Sequence, residues 1–158
     1  MLVGRSQWIG QRVHDIAAGV IGRWQEGRDV VREELLEDTR RQARRVIADA
    51  RRGTALLNPR KHTNFLVLFY DADPGDAWWE GLVDELCGQV EAWLDHPLAK
   101  RLHAVPERVR EVEKLERLMV GDVPVWVSLD VLVDDGQGGF VVIDWKTGKA
   151  HVNEVVDG

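Results

Sequence analysis

The sequence predicts an α/β fold with an α+β arrangement, in which N-terminal helices pack on a mainly antiparallel three-stranded sheet. Apolar residues recur at helical spacing up to about residue 100, whereas β-branched residues are dense and alternate from about 108 to 145. A glycine-rich turn at 135–139 separates the last two strand candidates. No repeat or low-complexity linker divides the chain. We therefore expect a single domain over 1–158, helical over 1–100 and forming a sheet over 108–149.

The composition excludes several classes of protein. With 158 residues, 44% hydrophobic and 30% charged, the chain can bury a core, so disorder and collagen are excluded. No apolar run reaches the roughly 18 residues that a bilayer needs, and no signal-peptide pattern opens the chain, so we expect a cytoplasmic protein without a membrane partner. Cys87 alone can neither form an internal disulfide nor hold an iron-sulfur cluster. A net charge of -6 restricts any DNA contact to a local patch or a bound metal.

Three long helices are predicted in the first part. Residues 6–25 place their apolar side chains on one arc, with His14 at its edge. A second helix over 29–52 stops near Gly53, and a third over 76–94 ends near the His96-Pro97 step. The segment between the second and third helices contains two prolines and reads as a connector with one short helix or packed turn.

Three consecutive strands are predicted in the second part, over 109–116, 123–133 and 140–143. Aligned as a hairpin, the last two bring Asp130 and Asp144 together, because the turn lies at nearly equal distance from both. Two carboxylates with open positions suit a hard divalent cation such as magnesium. Lys146 follows Asp144 by two residues and projects to the same face of the strand.

These residues resemble the PD-(D/E)XK nuclease superfamily and, within it, the RecB-like branch. The resemblance is carried by GQRVH at 10–14, by the strand segment that ends in Asp130, and by VVIDWKTG at 141–148, the most specific of the three. It implies a restriction-endonuclease-like core. The sequence departs from the family pattern in lacking the glycine that is common just before the aspartate of the second strand.

The resemblance also implies roles for individual residues. His14, Asp130 and Asp144 would hold Mg²⁺ or Mn²⁺, with the Trp145 carbonyl as a further ligand, and Lys146 would assist the attacking water. An acidic residue on the first strand often joins the catalytic set. Of the three candidates we choose Glu113 over Glu111 and Glu116.

The chain ends 12 residues after Lys146, whereas RecB-like nucleases continue into a helix that contacts DNA. We therefore expect a truncated domain. We also expect a further polypeptide segment, a second chain or self-association to complete the sheet, because strand edges in native proteins are commonly covered. The four cysteines that hold an iron-sulfur cluster in some relatives are absent from this stretch.

Basic residues concentrate on one side of the second helix, which we call the arginine face: Arg40, Arg41, Arg44, Arg45, Arg51 and Arg52. Acids in the early turns and arginines in the late ones favour the helix dipole, so this face has a structural explanation in stability and solubility. The alternative is a stripe that contacts phosphates. On that reading Arg40, Arg44, Arg45, Arg51 and, next to the lysine motif, Thr147 are the candidate DNA contacts.

The function predicted from these features is a metal-dependent DNA nuclease, most simply an exonuclease, acting in DNA repair, recombination or defence against phage. A second hypothesis is a catalytically inactive nuclease fold that binds DNA or a partner protein without cutting. An intact acidic-x-lysine motif at 144–146 favours the first.

Overall fold

The computed structural model describes residues 2–70 and 73–147. The elements in chain order are β1 (Leu2–Val3), α1 (Arg5–Gln25), α2 (Arg32–Arg51), α3 (Thr54–Leu57), β2 (Asn64–Phe65), α4 (Leu66–Tyr70), α5 (Asp76–Asp95), α6 (Pro97–Ala104), a single 3₁₀ turn (Pro106–Arg108), β3 (Val109–Val120), β4 (Val123–Asp134) and β5 (Phe140–Ile143). The predicted mixed fold, with three long helices and an antiparallel sheet of three consecutive strands, is confirmed.

The ends of α2 follow from the charges and the glycine in its sequence. Glu33 and Glu34 occupy its first turn and Arg51 its last, the arrangement that stabilises a helix dipole. Gly53, directly after the helix, has a φ of 74°, a left-handed conformation that glycine adopts without steric cost. The chain therefore turns out of the helix at the residue where the sequence predicts a stop.

The core lies between the three long helices and one face of the sheet. Helix α1 packs on α5, α5 packs on α2, and α1 also contacts β3. The side chains at the centre are fully buried and come from α1, α5 and the sheet, including Ile21, Leu82, Val83 and Val131. Because α1 lies directly against the sheet, polar residues on the edge of its buried arc can reach the strands.

The sheet has the order β3-β4-β5, and both pairings are antiparallel. Strands β3 and β4 form a long hairpin, with a register shift between Val109 and Glu111 and a turn in which Gly121 has a φ of 60°. Within residues 2–70 and 73–147, β5 pairs with β4 alone. The expectation that another segment or chain covers this edge stays a prediction.

Two parts of the structure go beyond the sequence prediction. The connector between α2 and α5 holds two short helices, α3 and α4, and the strand β2, which pairs in parallel with β1. Helix α6 was not predicted, although Pro97 opens it at a position where a missing N–H costs nothing. His96 caps α6 by accepting a hydrogen bond from the Leu98 N–H at Nδ1, 3.2 Å away. A two-residue strand and a short helix are both too brief to leave a periodic signal.

None of the helices in the part of the chain that the structure describes combines the length and the apolar character needed to cross a bilayer.

Candidate active site

Three side chains from three elements converge beside the sheet. His14 of α1 has its Nδ1 atom 2.8 Å from Oε1 of Glu113 on β3 and 3.5 Å from Oδ1 of Asp130 on β4. One ligand atom from each residue lies within 4.8 Å of the others, close enough for all three to bind one metal ion. One imidazole nitrogen and two carboxylates form a donor set that fits a divalent cation.

The hairpin register explains why Glu113 and Asp130 meet. Val112 pairs with Val131 and Lys114 pairs with Leu129, which places Glu113 opposite Asp130 between them. Glu113 has a φ of 47°, the one left-handed non-glycine residue in the described part of the chain. Such backbone conformations are uncommon and concentrate at functional sites.

Asp130 is the buried member of the group, with only 8% of its side chain exposed. Its Oδ2 atom accepts a hydrogen bond of 2.7 Å from the backbone N–H of Trp145. The pairing of Val131 with Ile143 in the last strand pair brings Trp145 and its neighbours to this point. One oxygen of this carboxylate thus faces His14, and the other is bonded by the segment that follows β5.

Asp144 and Lys146 lie next to this group and form an ion pair, with 2.7 Å between Oδ1 and Nζ. The hydrogen bond from Lys146 is the main reason that the pKa of Asp144 lies below its usual value. The positive charge of Lys146 acts in the same direction, and partial burial of the carboxylate opposes both effects. The same pair raises the pKa of Lys146. Asp144 is therefore ionised and Lys146 protonated at neutral pH.

Helix α1 approaches the motif closely at a second point. A Cβ atom built on Gly10 would lie 2.9 Å from Oγ1 of Thr147, so only glycine allows this approach without a shift. On the other side, the Trp145 ring packs edge-on against Trp93 of α5, with 5.8 Å between ring centroids. The residues around Asp144 are thus held between α1 and α5.

The arginine face is largely engaged with acids. Arg44 makes two hydrogen bonds to Glu80 of α5, and Arg51 bonds both Asp73 and Asp76. Arg41 pairs with Asp38 and Arg52 with Asp49, both within or next to α2. Among the described residues, Arg40 and Arg45 have no ion-pair partner. These pairings favour the structural explanation for Arg44 and Arg51.

The structure brings His14, Glu113 and Asp130 into one cluster and sets Asp144 and Lys146 beside it. It leaves the arginine face away from that cluster, with Arg44 and Arg51 paired to acids of α5. The Trp145 contact made here is through its N–H, so its carbonyl as a metal ligand stays a prediction, as does a role for Thr147 in DNA binding. Gly148, the last residue of the motif, lies outside the described residues.

Sequence reasoning did not assign two residues that shape this site. Gly10 enters only as part of the GQRVH motif, and Trp93 only as a position in the predicted helix over 76–94. A glycine inside a helix allows another segment to approach closely, but the sequence does not say which segment does so.

Comparison with family models decides the classification. The model of the PD-(D/E)XK nuclease superfamily matches residues 3–157. The chain belongs to the PD-(D/E)XK nuclease superfamily. Neither curated proteins nor solved structures yield a match. Members of this superfamily are typically metal-dependent nucleases, and His14, Glu113 and Asp130 lie close enough together that they could hold a metal ion.

Proposed function

We propose that this chain is a metal-dependent DNA nuclease of the RecB-like branch, an exonuclease that hydrolyses phosphodiester bonds. The observation that carries the proposal is the convergence of His14, Glu113 and Asp130 beside the Asp144–Lys146 pair. A nuclease with this site could act in repair, in recombination or in defence against phage. We propose that the protein is cytoplasmic.

His14, Asp130 and Asp144 would hold Mg²⁺ or Mn²⁺, with Glu113 and the Trp145 carbonyl completing the set. A divalent ion at such a site polarises a phosphoryl oxygen and lowers the pKa of a bound water. Histidine nitrogen is a softer donor than oxygen, so the set suits Mn²⁺ at least as well as Mg²⁺.

The protein's own groups have distinct tasks. Asp144 is ionised at neutral pH, as an ordinary aspartate is, and its lowered pKa keeps it so in more acidic solution, so it can bind a cation. Lys146 is protonated and 80% exposed, so its ammonium can donate to a phosphate oxygen and orient the attacking water. The buried Asp130, fixed by the Trp145 N–H, keeps the metal-binding groups in register with the motif.

The test is cleavage of linear, circular and single-stranded DNA with Mg²⁺, with Mn²⁺ and with a chelator. We expect metal-dependent loss of linear DNA. Lys146→Ala should reduce the rate at least about 100-fold, as removal of a group that stabilises transition-state charge does. Lys100→Ala is the matched control, since Lys100 is also exposed and near an acid, Asp95, but lies on α6.

Two outcomes would contradict the proposal. Cleavage that survives Lys146→Ala unchanged would remove the role given to that residue. DNA binding without cleavage, in a protein that binds no Mn²⁺ by calorimetry, would instead favour an inactive binding module.

A further inference from the structure

A cavity of about 270 Å³ lies between α5, the start of α6 and the motif segment. Asp144 and Lys146 line it, and so do Trp93 and Trp145. The charged pair of the candidate site and an aromatic wall therefore share one cavity. Its size lies at the small end of ligand pockets, which suits one flat ring system better than a larger ligand.

The walls offer apolar and aromatic surface. The Trp93 and Trp145 rings meet edge to face, at an interplanar angle of 86°, so the two indoles present surfaces in different directions. Val13 of α1 and Leu98 of α6 add aliphatic surface. An aromatic ring is the ligand group that gains most from such walls, because indole faces and edges both attract π systems.

The cavity also carries hydrogen-bonding groups that have no partner. The half-buried amide of Gln89 has no hydrogen-bond partner within 2–70 and 73–147, although it could donate and accept at once. Since Nδ1 of His96 accepts from Leu98, a neutral imidazole carries its proton on Nε2 and can donate with it.

We propose that this cavity binds the base of a nucleotide whose phosphate lies at Asp144 and Lys146. The inference rests on the proposed nuclease function, because a phosphodiester at the motif carries a nucleoside on either side. A nucleobase is flat and aromatic, and its edge carries the acceptors and donors that Gln89 and His96 lack. Stacking on aromatic side chains combined with edge hydrogen bonds is the way proteins hold an unstacked base.

This inference predicts a preference for substrates with an unpaired base at the scissile bond. A base inside a duplex is stacked and paired, so only a frayed end, a single strand or an extruded nucleotide can fill the cavity. The site would therefore act on single strands and on ends more readily than within a duplex.

The experiment compares binding of the four deoxynucleoside monophosphates with binding of 2-deoxyribose 5-phosphate, which lacks the base, by calorimetry in Mg²⁺. We expect the nucleotides to bind at least about 10-fold more tightly. Ala92→Phe, which fills the cavity from α5, should bring that ratio close to one. Asp84→Phe, at an exposed position on the same helix that does not line this cavity, should leave it unchanged. Gln89→Leu removes the amide but keeps a side chain of similar size, so it should lower the ratio several-fold. This variant tests the inference if Ala92→Phe does not fold.

Equal affinity for nucleotide and sugar phosphate would overturn the inference, and so would a ratio that neither Ala92→Phe nor Gln89→Leu reduces. Base-dependent binding in a protein that shows no metal-dependent cleavage would support the cavity while contradicting the nuclease proposal. Metal-dependent cleavage without base-dependent binding would support the nuclease proposal and contradict the base-binding cavity. The two proposals can therefore fail separately.

Discussion

Replacing Gly10 with alanine tests the close approach of α1 to the motif segment. Alanine is favoured over glycine inside a helix by about 0.5–1 kcal/mol. At Gly19 of the same helix a Cβ would meet nothing within 4 Å, so Gly19→Ala should gain that full amount. At Gly10 the Cβ would lie 2.9 Å from Oγ1 of Thr147. Overpacking of this kind costs about 1–3 kcal/mol, so we expect Gly10→Ala to lower the free energy of unfolding by up to about 2 kcal/mol.

The measurement is urea denaturation of both variants, followed by tryptophan fluorescence and circular dichroism. Thr147→Ala removes the atom that the new Cβ would meet, so the double variant Gly10→Ala/Thr147→Ala should recover the helical gain. A double-mutant cycle then isolates the contact as a coupling energy of about 1 kcal/mol or more. His14 lies one turn beyond Gly10, so Gly10→Ala should also weaken Mn²⁺ binding, whereas Gly19→Ala should not.

The reasoning would be refuted if Gly10→Ala stabilised the protein as much as Gly19→Ala did. A cycle with no coupling between positions 10 and 147 would refute it equally. Either result would mean that α1 and the motif segment do not approach as closely as the structure places them.

Three further predictions concern single side chains. Lys146→Met should raise the pKa of Asp144 toward the ordinary carboxylate value, measured by NMR titration. The ion pair should stabilise the folded protein fully between about pH 3.9 and 10.4. That contribution should be lost as pH falls through the lowered pKa of Asp144, or as it rises through the raised pKa of Lys146. Identical titration of Asp144 in both proteins would contradict this. Arg45→Ala should reduce the slope of log DNA affinity against log salt by about 0.7–0.9, measured by fluorescence anisotropy, whereas Arg44→Ala should not, because Arg44 is held by Glu80. Equal slopes for the wild type and Arg45→Ala would return the whole arginine face to a structural role. Cys87 is 2% exposed and burial raises the pKa of its thiol, so it should react with a thiol reagent only on unfolding; fast reaction in the native protein would be contrary evidence.

Much of the fold could be predicted because its long elements have strong periods. Helix α5 was expected over 76–94 and runs to Asp95, and the hairpin alignment that joins Asp130 to the motif follows from a glycine-rich turn and two valine-rich strands. Such signals are local, so a single sequence carries them. The strand β1 has only two residues and pairs with a partner about 60 residues away, so no local pattern marks it.

The residue types of the site and the hairpin that joins two of its aspartates could be predicted from the sequence. The contacts between side chains on different elements could not. The contact of His14 with Glu113 depends on how α1 lies on the sheet, whereas Glu111 pairs with Lys114 instead. The pairing of Arg44 with Glu80 likewise requires the packing of α2 on α5, which the charge pattern of α2 alone does not contain.

The left-handed backbone at Glu113 has a consequence for engineering. A side chain other than glycine in that conformation costs about 1–2 kcal/mol, which glycine would relieve. A library of variants sorted only for thermal resistance should therefore enrich glycine at position 113, and asparagine to a lesser extent. Those winners would lack the carboxylate that faces His14. Selection for heat tolerance would thus favour glycine at position 113, whereas selection for metal binding would favour glutamate.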